Sequence, residues 1–174
     1  MPSRARRRVI LMLVVGLMAS ACDGGGSTAE YFSELEAATG RLDTELDAVE
    51  AEFNAGLLDI DFQVASAEAQ LIDLFQSSIT RTADSFAVLV AELRVLEPPP
   101  EAADSHAATV EAGERVLSAY AERSEQLAAI IDLTGIDEYA QSIASAGVRA
   151  RFLESCQELQ VLADREEVSV DLGC

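Results

Sequence analysis

Few side chains in this sequence could carry chemistry: one histidine, His106, and three cysteines, Cys22, Cys156 and Cys174, stand against 31 acidic residues. A lone histidine cannot supply the Glu-x-x-His that a di-iron bundle takes from each of two helices. No Cys-x-x-Cys-His is present to attach haem, and all three methionines fall at positions 1, 12 and 18, away from the body of the chain. Asp59-x-Asp61 lacks the glycine and distal glutamate of a calcium loop. Gly24-Gly25-Gly26 follows no strand, so it reads as a tether and not as a phosphate-binding loop. Carboxylates such as Glu45, Asp47, Glu50 and Glu52 read as a solvated helix face, and no two of them stand out as an acid–base pair. His106 sits on an apolar stripe near Glu101 and Asp104, which suits a partly buried, hydrogen-bonded imidazole. The expectation is therefore no catalytic residue, no cofactor-binding residue and no metal site.

Charge is distributed unevenly. The formal net charge is −19, with twelve basic residues, all arginine. Arg4, Arg6, Arg7 and Arg8 precede every acid, because the first acid is Asp23. Loss of the N-terminal segment would leave a still more acidic body, from which a polyphosphate such as nucleic acid is repelled.

That segment is built from three blocks. A basic stretch, Arg4 to Arg8, leads into the apolar run Val9 to Met18 and then the small residues Ala19-Ser20-Ala21-Cys22. The order is that of an export signal, and the run is about half the ~20 residues a membrane span requires. Ala-Ser-Ala-Cys followed by the flexible Asp23-Gly24-Gly25-Gly26-Ser27 resembles the lipobox of bacterial lipoproteins, with Ala19 where that family usually has leucine. The resemblance implies cleavage before Cys22, a diacylglycerol on its thiol, and lipid anchoring at the extracytoplasmic face of a membrane in the cell envelope. In two-membrane bacteria, Asp23 after the lipidated cysteine resembles an inner-membrane retention signal. The expected organisation is a cleaved signal peptide over 1–21, a lipidated cysteine and tether over 22–27, and one helical domain over 28–174.

The rest of the chain repeats apolar residues at three- and four-residue steps, which predicts an all-α protein. Ser27-x-x-Glu30 forms a capping box that opens a first helix over 28–54, its stripe Leu35, Leu42, Leu46, Val49 and Phe53. A second helix is expected over 62–96, with Ile79, Phe86 and Leu93 in one row, until Pro98-Pro99-Pro100 stops it. The third, 100–132, carries His106, Val110, Gly113, Leu117, Tyr120, Ser124, Leu127 and Ile131 at steps of four and three. Thr134-x-x-Asp137 caps the fourth, 135–164, with Ile143 and Leu153 facing inward. Short connections make successive helices antiparallel, so the expected fold is an up-down-up-down four-helix bundle. Leu42, Val49, Ile79, Phe86, Leu93, Leu117, Tyr120, Leu127, Ile143 and Leu153 are the predicted core. The many alanines predict a slim bundle with little pocket volume.

With Cys22 lipidated, Cys156 and Cys174 remain, in a compartment where disulfides persist. A helix ending near Asp164 lies about 12 Å beyond Cys156, and ten extended residues reach up to roughly 33 Å. The alternating tail Val168 to Leu172 can therefore fold back, and a Cys156–Cys174 disulfide pinning it is expected. The function these features point to is non-enzymatic: a membrane-anchored helical module that binds or scaffolds an envelope protein partner. The alternative is an acidic carrier for cations or cationic small molecules, and an enzyme with an unrecognised carboxylate site ranks below both.

Overall fold

The computed structural model describes residues 27–174, and every regular element in that range is helical. The signal segment, Cys22 and the glycine tether lie outside the described residues. Six helices follow in order: α1 (Thr28–Asp59), α2 (Ala67–Leu93), α3 (Ala103–Glu122), α4 (Ser124–Ala128), α5 (Leu133–Ala146) and α6 (Val148–Arg165).

Local side-chain chemistry decides where they start and stop. Ser27 caps α1 as expected, its Oγ accepting from the Glu30 N–H at 3.2 Å. The helix does not end at Asn54-Ala55-Gly56 but runs on to Asp59. Gly56 serves packing instead, since a Cβ there would stand 2.8 Å from Cδ1 of Leu74. The second helix starts later than 62, because Asp61 Oδ1 captures the Gln63 N–H at 2.9 Å and holds a turn until Ala67. The Pro99 carbonyl accepts from Ala102 N–H, so α3 begins at Ala103 and not at the prolines.

The expected third and fourth helices are each interrupted. Arg123 leaves helical geometry at φ −106°, ψ 6°, separating α3 from α4. Asp132 caps α5, accepting from Gly135 N–H at 2.9 Å, while Thr134 of the anticipated capping box lies inside the helix. Gly147, at φ 59°, ends α5 in the left-handed conformation that glycine adopts without a side-chain clash, and α6 sets off in a new direction.

α1 runs antiparallel to α2, as the cross-pairs Arg41–Glu92 and Glu52–Arg81 show. α3 packs between α2 and α6, and α5 leans on α2. Direct contact between α1 and α6 is sparse. The main core joins Tyr31, Phe32 and Leu35 of α1 to Phe86, Leu89 and Leu93 of α2 and to Phe152 and Leu159 of α6. A smaller one gathers Ile72, Ile130 and Tyr139.

Leu42, Val49, Phe86 and Leu93 are buried, whereas Ile79, Leu117, Tyr120, Leu127, Ile143 and Leu153 are half-buried. The largest departure concerns α3, which turns Thr109, Ala112, Gly113, Val116 and Ala119 to the core beside His106. Of the anticipated seam His106 and Gly113 are on that inner face, Val110, Leu117, Tyr120 and Leu127 are half-buried on its flank, and Ile131 is 83% exposed. A helix squeezed between two neighbours places small residues where backbones approach and large ones where the helices diverge.

Gly113 tests this directly: a Cβ there would lie 2.7 Å from Cγ2 of the buried Val90. Gly113→Ala is expected to lower stability by about 1–2 kcal/mol despite alanine's better helix propensity. Gly40→Ala, where nothing lies within 4 Å, should raise it by about 0.5–1 kcal/mol. Urea denaturation of the two variants checks the pair, and equal shifts would contradict the close approach.

Candidate functional site

His106 is buried in the main core and joins three helices. Its Nδ1 lies 2.9 Å from the Tyr31 hydroxyl, 75 residues away in sequence, and the backbone of Leu93 is near enough to favour the protonated imidazole. With Tyr31 donating to Nδ1, the neutral imidazole carries its proton on the other ring nitrogen, which faces the Leu93 backbone. Burial depresses its pKa, and the Leu93 backbone works the other way. Burial likewise raises the Tyr31 hydroxyl. The histidine therefore occupies a structural node, with no other titratable side chain hydrogen-bonded to it except Tyr31 among the described residues.

The structure brings the two distal cysteines together. The Sγ atoms of Cys156 and Cys174 stand at disulfide distance, with Cα atoms 5.8 Å apart. Between them the tail lies extended in the space between α1 and α6. Asp171 N–H donates to Glu36 Oε1 of α1 at 2.8 Å, and Leu172 N–H donates to Gln160 Oε1 of α6 at 2.9 Å. Leu172 is fully buried in the main core, with Val168 and Val170 packed against it.

Further along the same gap the tail stops and an open groove of about 600 Å³ begins. This departs from the expectation of little pocket volume: the groove lies along α1 and α2 beside Arg149, two residues past the break at Gly147. Leu46, Val49, Phe53 and Phe75 line it together with Asp43, Asp47, Glu50 and Arg149. Asp47 and Glu50, read from sequence as merely solvated, thus stand on a concave wall. Burial raises the Asp43 carboxyl above its usual range, Asp47 and Asp171 add to that by repulsion, and Arg149 opposes it.

A second surface lies at the end of the molecule remote from Ser27. There the α1–α2 connection and the α4–α5 connection run side by side, tied by Leu133 N–H donating to Glu68 Oε1 at 3.3 Å. Leu58, Phe62, Val64, Ile131 and Leu133 are exposed on it, five of the eight large apolar side chains exposed among the described residues. Leu58 is 88% exposed. Single exposed apolar residues are ordinary, but their concentration at one pole is not. Each was visible in the sequence; their convergence depends on tertiary placement.

Among the described residues no group of three or more histidines, cysteines or acids is arranged to hold a metal ion. No helix there is long and apolar enough to cross a membrane. Compared with family models, curated proteins and solved structures, the chain finds no match.

The His106 node carries a pH dependence of defined sign. Its folded pKa lies below the usual 6.5, so the unfolded chain takes up a proton first and stability falls as pH drops through that region. Gln at 106 can accept from Tyr31 and present an N–H to the Leu93 backbone without titrating. The stability difference between wild type and His106→Gln should therefore narrow from about pH 8 to about pH 5. NMR titration of the imidazole should give a midpoint under 6.5, and a midpoint above it would contradict the node.

Proposed function

We propose that this protein is a lipid-anchored, non-enzymatic binding or scaffolding module of a bacterial cell envelope, held by diacylglycerol on Cys22 and presenting its apolar pole to a protein partner. The observation that carries the reading is the placement of that pole. Ser27, the residue nearest the tether, begins α1, and Leu58 lies near its other end. A helix of 32 residues is about 48 Å long, which would hold the exposed Leu58, Phe62 and Ile131 well clear of a membrane at the tethered end. The three-block order of residues 1–22 supports export and lipidation. One acyl chain anchors marginally and two or more anchor stably.

The finer fold belongs to this proposal: an up-down-up-down four-helix bundle in which α3 with α4, and α5 with α6, form the bent third and fourth members. The antiparallel pair α1–α2 and the neighbours α2–α3 and α3–α6 support it. A tail pinned to α6 by a Cys156–Cys174 disulfide is part of the same proposal, supported by Cα atoms 5.8 Å apart, and would hold Leu172 in the gap that α1 and α6 leave between them.

The disulfide has its own test. Non-reducing peptide mapping should recover Cys156 and Cys174 in one linked peptide, closing a sequence separation of 18. Cys156→Ser with Cys174→Ser should cost about 2–4 kcal/mol. Two free thiols in protein taken straight from envelopes would remove the staple.

For the function, intact-mass analysis of envelope-extracted protein should show a chain beginning at lipidated Cys22. In that material a photo-crosslinker at position 58 or 131 should yield a discrete protein adduct. The same group at Val95, 77% exposed but at the opposite end of α2, should not. An unmodified Cys22 would defeat the anchor, and identical adduct patterns from 58 and 95 would defeat the docking pole.

A further inference from the structure

The groove beside α1 is distinct from the apolar pole and has a composition of its own. Phe53 and Phe75 give it an aromatic floor, extended by Leu46 and Val49, while its α1 lip carries Asp43, Asp47 and Glu50. Positions 43, 47 and 50 are four and three residues apart, so their carboxylates stand on one face of the helix. None of the three forms an ion pair among the described residues, and Arg149, the one basic side chain lining the groove, forms none either. The wall is thus net negative over an apolar bed. Burial raises the Asp43 carboxyl, and repulsion from Asp47 and Asp171 adds to it.

Ligand classes can be separated by what each would leave unused. A bare metal ion would find no prepared cluster of donors and would ignore the aromatic floor. A polyamine would satisfy the acids but not the phenylalanines. A neutral apolar molecule would leave the carboxylates uncompensated. An ammonium ion with an apolar body engages every part: its charge is attracted to the carboxylates and to aromatic faces, and its body covers the floor. The groove volume of about 600 Å³ is that of small-molecule sites. Its inner end continues beneath the tail as a narrower hollow of about 70 Å³ that shares Asp43, Leu46 and Arg149 and is roofed by Leu172.

We propose that this groove binds a small organic ammonium ion, its nitrogen among Asp43, Asp47 and Glu50 and its apolar body on Phe53 and Phe75. The site stands independently of the docking pole, and neither requires the other.

Calorimetry on the tail-intact protein with phenethylammonium, the near-isosteric neutral phenethyl alcohol, and spermidine tests it. Phenethylammonium is expected to bind at least about tenfold more tightly than the alcohol. Asp47→Asn with Glu50→Gln, both at exposed positions, should abolish that preference without changing the melting temperature of the fold by more than a few degrees. Phe53→Ala should weaken both aromatic probes, the ammonium at least as much as the alcohol. Equal affinity for phenethylammonium and the alcohol would overturn the proposal, as would absence of phenethylammonium binding at millimolar concentration or a preference that survives the double substitution. Spermidine binding that exceeds phenethylammonium and ignores Phe53→Ala would likewise overturn it, showing only a charged surface.

Discussion

The close approach of α3 to α2 at Gly113 is the constraint from which the rest of the architecture follows. Val90 occupies the space where a side chain at 113 would be, and the ring of Phe152 from α6 lies on the other side. Only a helix whose inner face is Thr109, Ala112, Gly113, Val116 and Ala119 can be held this closely by two neighbours. Dispersion contacts between well-packed atoms fall off steeply with distance, so the tight spacing gives α2 and α6 more partners than a bulkier face would allow. α3 thereby becomes the hub, with its larger residues, Leu117 and Tyr120, moved to the flanks.

A central helix with partners on both sides leaves the outer pair, α1 and α6, without a surface to share. α1 is held by α2 and, at its N-terminal end, by the Tyr31–His106 bond. The gap opposite is closed in one half by the tail and open in the other. Ion pairs contribute little to this arrangement, because Arg41–Glu92 and Arg94–Glu114 are largely exposed and screened. Gly173 belongs to the closure: it takes φ 67° and lies against the Asp43 carboxylate, where a side chain would be both strained and obstructed. The acidic groove and the packed tail are two treatments of the same gap.

The sequence made some of this plain and hid the rest for physical reasons. Ser27 as a cap, the stop before the prolines and the burial of Leu42, Phe86 and Leu93 follow from local rules that need no tertiary partner. Asp61 and Asp132 were harder, because each competes for backbone N–H groups against an equally plausible neighbour, and Thr134 lost to Asp132. The α3 register was misread because a hydrophobic stripe weights large side chains, whereas the hub selects small ones. Gly147 carried no signal that separated a tolerated helical glycine from a left-handed break. The groove was illegible in principle, since it arises from two helices that fail to meet. His106 could be recognised as hydrogen-bonded, but Tyr31 could not be named across 75 residues.

Charge and apolar surface make a consistent pair once their positions are considered together. An exposed apolar pole is an invitation to self-association, and a chain of net charge −19, whose acids all lie from Asp23 onward, opposes it through repulsion between copies. The same repulsion acts between the body and anionic lipid headgroups, so on the proposed anchoring the pole is kept off the surface by electrostatics as well as by the length of α1. A partner that reaches the pole must overcome that field with apolar complementarity, with positive charge of its own, or with both. Raising the salt concentration should therefore favour contacts between identical copies over contacts with a basic partner, because it screens the repulsion in the first and the attraction in the second. On the proposed docking, the acidic composition would be part of the recognition surface: it would select among candidates for a patch whose apolar side chains, by themselves, discriminate poorly.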